Sequence, residues 1–286
     1  MIKPGEIQNK AREVGVRDQQ IEKDYVLSWI LQGIAQHNEL SKAITFKGGT
    51  ALKKVYFEDY RFSEDLDFTL LDNDASTSSA QATNGQIFHW FSEVFEYIRD
   101  EANIPLEIIE AESNRDGHAH ENNSINFYIS YVGPLGGIGA NKRVKVDISR
   151  SEQLQFKLVT KNTFLAYSDL EEHQLLCYPL EEVLVEKLRS VMQRMQARDF
   201  YDIWYLLEIH EMDVAFYSLE FRAKCESKKI VPTDFHHKLA QRLPQYKGRW
   251  QSSMADQIQD LPDFDQVERE VMRHLKKLEL ALTSPK

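Results

Sequence analysis

Two adjacent glycines, Gly48 and Gly49, stand a short way ahead of two carboxylates one residue apart, Asp65 and Asp67, in the stretch FKGGTALKKVYFEDYRFSEDLDF. On a strand, residues i and i+2 project from one face, so the two aspartates can offer oxygen ligands to the same hard divalent cations. Glycines where a strand gives way to a helix let backbone N–H groups approach a phosphate closely, and the helix start adds favourable electrostatics. Thr50 can add a hydroxyl donor. Together these parts can hold a nucleoside triphosphate while metal ions neutralise charge on the α-phosphate and the leaving pyrophosphate. Such chemistry wants a third carboxylate to bind a second metal and activate the incoming hydroxyl. Asp147 in RVKVDIS is the candidate, because Val144, Val146 and Ile148 face the opposite way from Lys145, Asp147 and Ser149. A glycine pair or a DxD alone is ordinarily a turn or an acidic strand edge. The conjunction, with a later strand aspartate, is what points to nucleotide chemistry.

The elements that must position these residues follow from periodicity. DQQIEKDYVLSWILQGIAQ, Asp18 to Gln36, reads as a helix with a broad buried face. Ile44 to Lys47 reads as a short buried strand that breaks at the glycines, and TALKKVYF as the helix that follows. DLDFTLL alternates acidic and apolar residues as a strand does. Polar, small residues from Asp72 to Gly85 predict a surface loop, and Gln86 to Asn103 a helix. PLEIIEAE, INFYISYV and RVKVDIS read as three further strands. The order up to about Val159 is β-α-β-α-β-β-β, an α/β arrangement with a mixed sheet. After Tyr178-Pro179 the strand pattern stops, and five segments to the carboxy terminus read as helices. The expected division is a helical segment over 1–40 packing on the catalytic domain, an α/β domain over 41–165 and a helical domain over 166–286.

With the motifs in place, a resemblance emerges. Gly48-Gly49-Thr50-Ala51-Leu52 followed by Arg61-Phe62-Ser63-Glu64-Asp65-Leu66-Asp67-Phe68 resembles the signature of the AbiEii/AbiGii toxin family, a branch of the DNA polymerase β-like nucleotidyltransferases. Glu22 through Trp29 resembles the family's helix ahead of the catalytic domain. Glu186-Lys187-Leu188-Arg189 through Arg194, with Arg198-Asp199-Phe200-Tyr201-Asp202, resembles its two carboxy-terminal motifs. The similarity covers roughly Ile21 to Leu207, with a spacing from Thr50 to Asp65 longer than the compact superfamily pattern. It implies an α+β fold, a polymerase β-like nucleotidyltransferase domain with a mixed sheet followed by a helical domain. It also implies transfer of a nucleotide from an NTP to an acceptor, with magnesium or manganese as cofactor. In relatives the acceptor is RNA such as tRNA, and the enzyme is the toxin of a toxin–antitoxin module, so a cognate antitoxin and a part in phage abortive infection are implied too.

Carried over by position, Gly48, Gly49 and Thr50 would cradle phosphates, and Asp65 and Asp67 would hold metal. Lys187 matches the family's essential lysine, and Asp199 and Asp202 match its RDxYD motif. Physically, Lys187 can set a positive charge against a triphosphate without titrating near neutral pH. Asp199 and Asp202, three apart, share a helix face from which one could orient Lys187 or touch the acceptor. These charges could equally form ion pairs between helices. Arg61 and Ser63 precede the metal strand and could touch phosphate, or Arg61 could pair with Glu58 or Asp59. His118 and His120 look like a metal pair, but their loop has no cysteine partner, which argues against a ligand role. Trp90, Phe91, Phe95 and Tyr97 read as packing. GPLGGIGAN joins two strands, where it could help position an acceptor. Arg189, Arg194, Arg198 and KGRW at 247–250 are candidate RNA contacts or a solvated face.

Composition bounds these readings. The chain has 286 residues, 42% hydrophobic and 28% charged, enough for a full core and two domains. Lysine and arginine total 35 against 45 acidic residues, a net charge of -10, so a nucleic-acid partner must be met by a local basic patch. Cys177 and Cys225 lie far apart with no CxxC spacing, which fits a reduced cytoplasm. No apolar run approaches the ~20 residues of a membrane span, and MIKPGEIQNKAREVG lacks the apolar core of a signal peptide, so neither anchor nor export is expected. Two rivals remain: a DxD glycosyltransferase, which also clamps a nucleotide diphosphate through metal, and a catalytically silent nucleotide-binding module.

Overall fold

The second helix of the chain is apolar over most of its circumference, and such a helix has to be buried on several sides. In the computed structural model, which describes residues 1–72, 81–111, 124–139 and 142–283, this is α2 (Asp18–Gln36), preceded by α1 (Pro4–Val14) and followed by the single turn α3 (Leu40–Ala43). Ile21, Tyr25, Val26, Leu27 and Ile30 are fully buried. Glu22 and Asp24 on the same helix are buried as well and Lys23 is half-buried, and each of the three holds a different part of the chain. Glu22 accepts from the Leu135 N–H at 2.8 Å and from the Lys142 ammonium. Lys23 donates to Glu64 at 2.9 Å. Asp24 pairs with Lys54 at 2.7 Å and accepts from the Tyr167 hydroxyl at 2.8 Å. Tyr25 donates to Asp169 at 2.7 Å.

The chain divides into two units, Met1–Glu152 with Leu158–Tyr178, and Gln153–Lys157 with Pro179–Lys286. The first holds a mixed seven-stranded sheet of β1 (Ile44–Lys47), β2 (Asp65–Leu70), β3 (Leu106–Ala111), β4 (Ser124–Tyr131), β5 (Arg143–Ser149), β6 (Val159–Asn162) and β7 (Gln174–Cys177), in the order β3-β4-β5-β2-β1-β7-β6. Strand β2 lies antiparallel to β1 and parallel to β5. Alternation buries Leu66, Phe68, Val144, Val146, Ile148, Ile125, Phe127 and Ile129 on one face. There α5 (Asn84–Ala102) packs Phe91 edge-on against Phe127 at 5.1 Å between centroids. Phe95 is buried too, whereas Trp90 and Tyr97 are half-buried.

Two strands lie outside the sequence expectation. β6 is an edge strand, VTKN, exposed over its last three residues, so it carries no apolar alternation. β7 is only four residues long. The helix expected over TALKKVYF is one α-turn, α4 (Gly48–Ala51), running directly into a π-helical turn over Leu52–Tyr56. Turns of that kind concentrate at functional sites. This one carries Lys54, which donates to Ser28 Oγ at 2.7 Å besides pairing with Asp24.

The second unit is helical: α6 (Leu180–Gln193), α7 (Ala197–Trp204) continued by a π-turn over Tyr205–Ile209, α8 (Ser218–Ser227), α9 (Phe235–Met254) and α10 (Phe264–Thr283). Segment Gln153–Lys157 belongs to it through a fully buried pair, Lys224 to Glu182 at 2.7 Å. Glu182 accepts from the N–H groups of Gln155 and Phe156, and Lys224 donates to the Gln153 carbonyl at 2.9 Å. Among the described residues no helix is long and apolar enough to cross a membrane.

Removing one partner of a buried ion pair leaves the other charge unpaired, at a cost of about 3–5 kcal/mol. Lys54→Met should lower unfolding stability by roughly that amount. The double substitution Asp24→Leu with Lys54→Met, which leaves no buried charge, should recover much of the loss; urea titration of the three proteins gives the comparison.

Candidate active site

At the end of β1 the backbone reverses through Gly48, whose φ of +80° lies in the left-handed region that side chains avoid. Space closes the position as firmly as conformation does, since a Cβ at Gly48 would collide with the Asp67 carboxylate. A Cβ at Gly49 would lie 2.6 Å from Arg61 Nη2 and 3.5 Å from Ser63 Oγ. The glycine pair is therefore a floor against which Asp67, Arg61 and Ser63 all pack. Arg61 is buried, with its guanidinium donating to the Phe62 carbonyl and lying 5.6 Å from the Tyr60 ring centroid. Thr50 is buried as well, and its hydroxyl donates to the Asp65 carbonyl. That bond ties the start of α4 to the start of β2. The hydroxyl thus has a protein acceptor, and the donors this turn leaves without acceptors within the helix are its first backbone N–H groups.

Register assembles the carboxylates. Asp67 is opposite Lys47 on β1 and Asp147 on β5; Asp147 is opposite Asn126 on β4; Asp65 is opposite Lys145. Residues on one rung of adjacent strands share a face with backbones about 5 Å apart. Asp65, Asp67 and Asp147 are all half-buried on the face away from the apolar core. Among the described residues no three His, Cys, Asp or Glu side chains are already drawn together as a finished metal shell. The donor set, all carboxylate oxygen on one face, is of the kind that suits magnesium or manganese.

A separate cluster lies in the helical unit. Lys187 on α6 pairs with Asp199 and with Asp202 on α7, each at 2.7 Å, and all three are buried. Arg194 reaches the same Asp199 with two nitrogens, at 2.7 and 3.1 Å. Burial alone would push the Asp199 carboxyl up, but the charges of Lys187 and Arg194 outweigh it and hold it well below the usual carboxylate range. Two carboxylates on successive faces of one helix turn thus fix the direction of the Lys187 side chain.

The family model for the nucleotidyl transferase AbiEii toxin of type IV toxin–antitoxin systems matches residues 29–270. This chain belongs to that family. Among solved structures, MenT4, the nucleotidyltransferase toxin Rv2826c of Mycobacterium tuberculosis H37Rv, is 16% identical with a TM-score of 0.58, covering 100% of this chain and 91% of that one. JHP933 from Helicobacter pylori is 15% identical with a TM-score of 0.49, covering 93% of this chain and 94% of that one. At such identity the likeness to MenT4 is one of fold, and the fold is α+β. A comparison with curated protein sequences finds no match. Membership of the AbiEii family makes the protein a nucleotidyltransferase and a toxin of the type IV class, and implies a nucleotide substrate and an antitoxin.

Within this AbiEii-family toxin the remaining candidates separate cleanly. His118 and His120 lie outside the described residues, as do the last two residues of GPLGGIGAN. Of the basic residues, Arg189 is buried and donates to Gln193, Lys247 pairs with Asp265 at 2.5 Å, and Trp250 is buried with its N–H on the Pro262 carbonyl. Arg198 is half-buried on α7. Sequence reasoning did not pick out Lys54, Asp24, Lys23 and Glu64 as the supports of the glycine turn and the DxD strand. The signal was there in the EKDY run, whose charges interrupt an otherwise apolar helix.

Gly48→Ala should weaken NTP binding about tenfold or more, since the new methyl displaces Asp67 and the backbone is held at a φ that costs alanine about 1 kcal/mol; calorimetry with NTP and magnesium reads the loss. Asp199→Asn should destabilise the protein at pH 7 by about 3 kcal/mol. Because the folded carboxyl is depressed, its contribution is complete above the unfolded value of about 4 and is lost as pH falls through the folded value. The difference in Tm between the two proteins should therefore narrow below about pH 4.

Proposed function

We propose that this toxin transfers a nucleoside monophosphate from an NTP to an RNA acceptor, with tRNA as the leading candidate, in a metal-dependent reaction that arrests growth and serves in abortive infection. The observation that carries the reading is the packing of the Gly48 turn directly on Asp67, with Asp147 opposite Asp67 in register. A triphosphate bound by the backbone N–H groups of Gly48, Gly49 and Thr50 would lie immediately beside those carboxylates. Asp65, Asp67 and Asp147 would hold the divalent cations. Bound there, magnesium or manganese supplies charge neutralisation on the α-phosphate and on the leaving pyrophosphate.

The chain's own residues do the rest. Asp147 accepts a hydrogen bond from the acceptor hydroxyl and takes its proton as the new oxygen–phosphorus bond forms. The bond from the α-phosphorus to the bridging oxygen breaks on the opposite side, and pyrophosphate departs toward the glycine turn. Arg61, packed on Gly49, adds positive charge on that side. Lys187 is the cation that family resemblance assigns to the triphosphate, and Asp199 and Asp202 set its direction.

Incubation with each α-labelled NTP, magnesium and total tRNA, followed by a denaturing gel, tests the reading and identifies the base. Label should reach RNA with the wild type. Asp65→Asn and Asp67→Asn should each abolish transfer while leaving Tm within about 4 °C, because both positions lie on the polar face of the sheet. A wild-type rate in either variant would remove the metal assignment, and label on protein alone would make the acceptor a polypeptide.

A further inference from the structure

We propose that the β4–β5 wing of the sheet is the acceptor site, built to take the end of a single RNA strand with Asn126, Tyr128, Arg143 and Lys145 as its contacts. The inference rests on the assignment of the triphosphate to the glycine turn, and adds where the second substrate lies and which residues select it.

Direction comes from register. One rung crosses the sheet as Lys47, Asp67, Asp147, Asn126, on β1, β2, β5 and β4. With steps of about 4.8 Å per strand, the glycine turn at the β1 end and the Asn126 side chain stand on opposite sides of the two central carboxylates. In-line displacement sets the attacking and leaving oxygens on opposite sides of the phosphorus. If pyrophosphate leaves toward Gly48, the hydroxyl must arrive over β4. There Asn126 donates to Ser124 Oγ at 2.8 Å, while its Oδ1 is buried and has no hydrogen-bond partner among the described residues. A buried amide oxygen without a donor is costly unless something supplies one. A ribose hydroxyl beside the attacking one is a donor of the right kind, since the 2′-hydroxyl is what separates RNA from DNA at a given site.

Chemistry continues along the same face. Tyr128 is opposite Lys145, and Ser130 opposite Arg143, all half-buried on the face that carries Asp147. The Arg143 guanidinium lies over the Tyr128 ring at 4.5 Å from its centroid. An aromatic ring capped by a guanidinium plane, with a second cation one rung away, is a stacking platform for a base with its phosphate held alongside. In a protein of net charge -10 this is a local basic and aromatic patch of the sort a nucleic-acid partner requires. The hairpin end that carries Arg143 is anchored, because buried Glu22 holds both Lys142 and the Leu135 N–H, and Gly133 packs where a Cβ would lie 2.7 Å from Glu22 Oε1. The platform is thus fixed relative to α2, the helix that also supports the glycine turn.

The test measures two affinities on the full chain: filter binding of end-labelled total tRNA across a salt series without NTP, and calorimetry of NTP with magnesium. Tyr128→Leu and Arg143→Gln should each weaken tRNA binding at least about tenfold and leave NTP binding within about twofold. Lys145→Gln should flatten the salt dependence by about 0.7 in log–log slope, one phosphate contact on a single strand. Asn126→Ala should erase the preference for a tRNA ending in ribose over one ending in 2′-deoxyribose. Unchanged tRNA binding in Tyr128→Leu and Arg143→Gln, with both proteins melting as the wild type does, overturns the acceptor site while leaving the triphosphate reading intact. So does tRNA binding that falls only in step with NTP binding. A wild type that binds no NTP in an Asp65-dependent way fails at the earlier step, and the two failures are told apart by the calorimetry alone.

Discussion

The buried ion pair between Asp24 and Lys54 is the constraint around which the first unit is organised. Burial pulls the Lys54 ammonium below its ordinary pKa, and the charge of Asp24 opposes that pull. A pair of this kind contributes little net stability, yet it tolerates no sliding between the two helical segments that carry it. The π-turn bearing Lys54 continues directly from Gly48–Ala51, so holding Lys54 also holds the glycine turn. Lys23 on Glu64 and the Thr50 hydroxyl on the Asp65 carbonyl repeat the device at the start of the DxD strand. Three short contacts set the distance between the glycine turn and the DxD strand.

The two faces of the sheet divide the work. One face is an apolar surface filled by Phe68, Val146, Ile148 and Phe127 against α5, and its alternation locks the register, because a one-residue slip would turn every carboxylate into the core. The other face then receives Asp65, Asp67 and Asp147 without further steering. In the helical unit Lys187 gains its direction from Asp199 and Asp202, on a helix whose apolar face is buried.

Strands β1 to β5 and the faces that carry Asp65, Asp67 and Asp147 were legible in the sequence, from a short apolar run in β1 and alternation in the others, whereas the rung that joins Asp67 to Asp147 comes from the order of the sheet. The glycine turn was legible because its neighbours, DxD and a later strand aspartate, narrow what two glycines are for. β6 and β7 were not, being short and, in β6, exposed enough to lack any pattern. The use of the Thr50 hydroxyl was hidden as well. A threonine beside two glycines looks like a phosphate donor, and only the closeness of β2 shows that a carbonyl accepts its hydrogen bond. Long-range pairs such as Asp24 with Lys54 leave no periodic trace, though charges set into an apolar helix signal that partners must exist somewhere.

Neither unit of this toxin is a continuous stretch of chain. The carboxylates are all made by residue 147, but β7, which pairs in parallel with β1 at Phe46 and Cys177, comes thirty residues later, and the Gln153–Lys157 segment waits for Glu182 and Lys224 before its backbone donors and carbonyl are met. Domains emerge from the ribosome amino terminus first. A chain released before Cys177 therefore lacks the strand that covers the β1 edge of the sheet, next to the glycine turn.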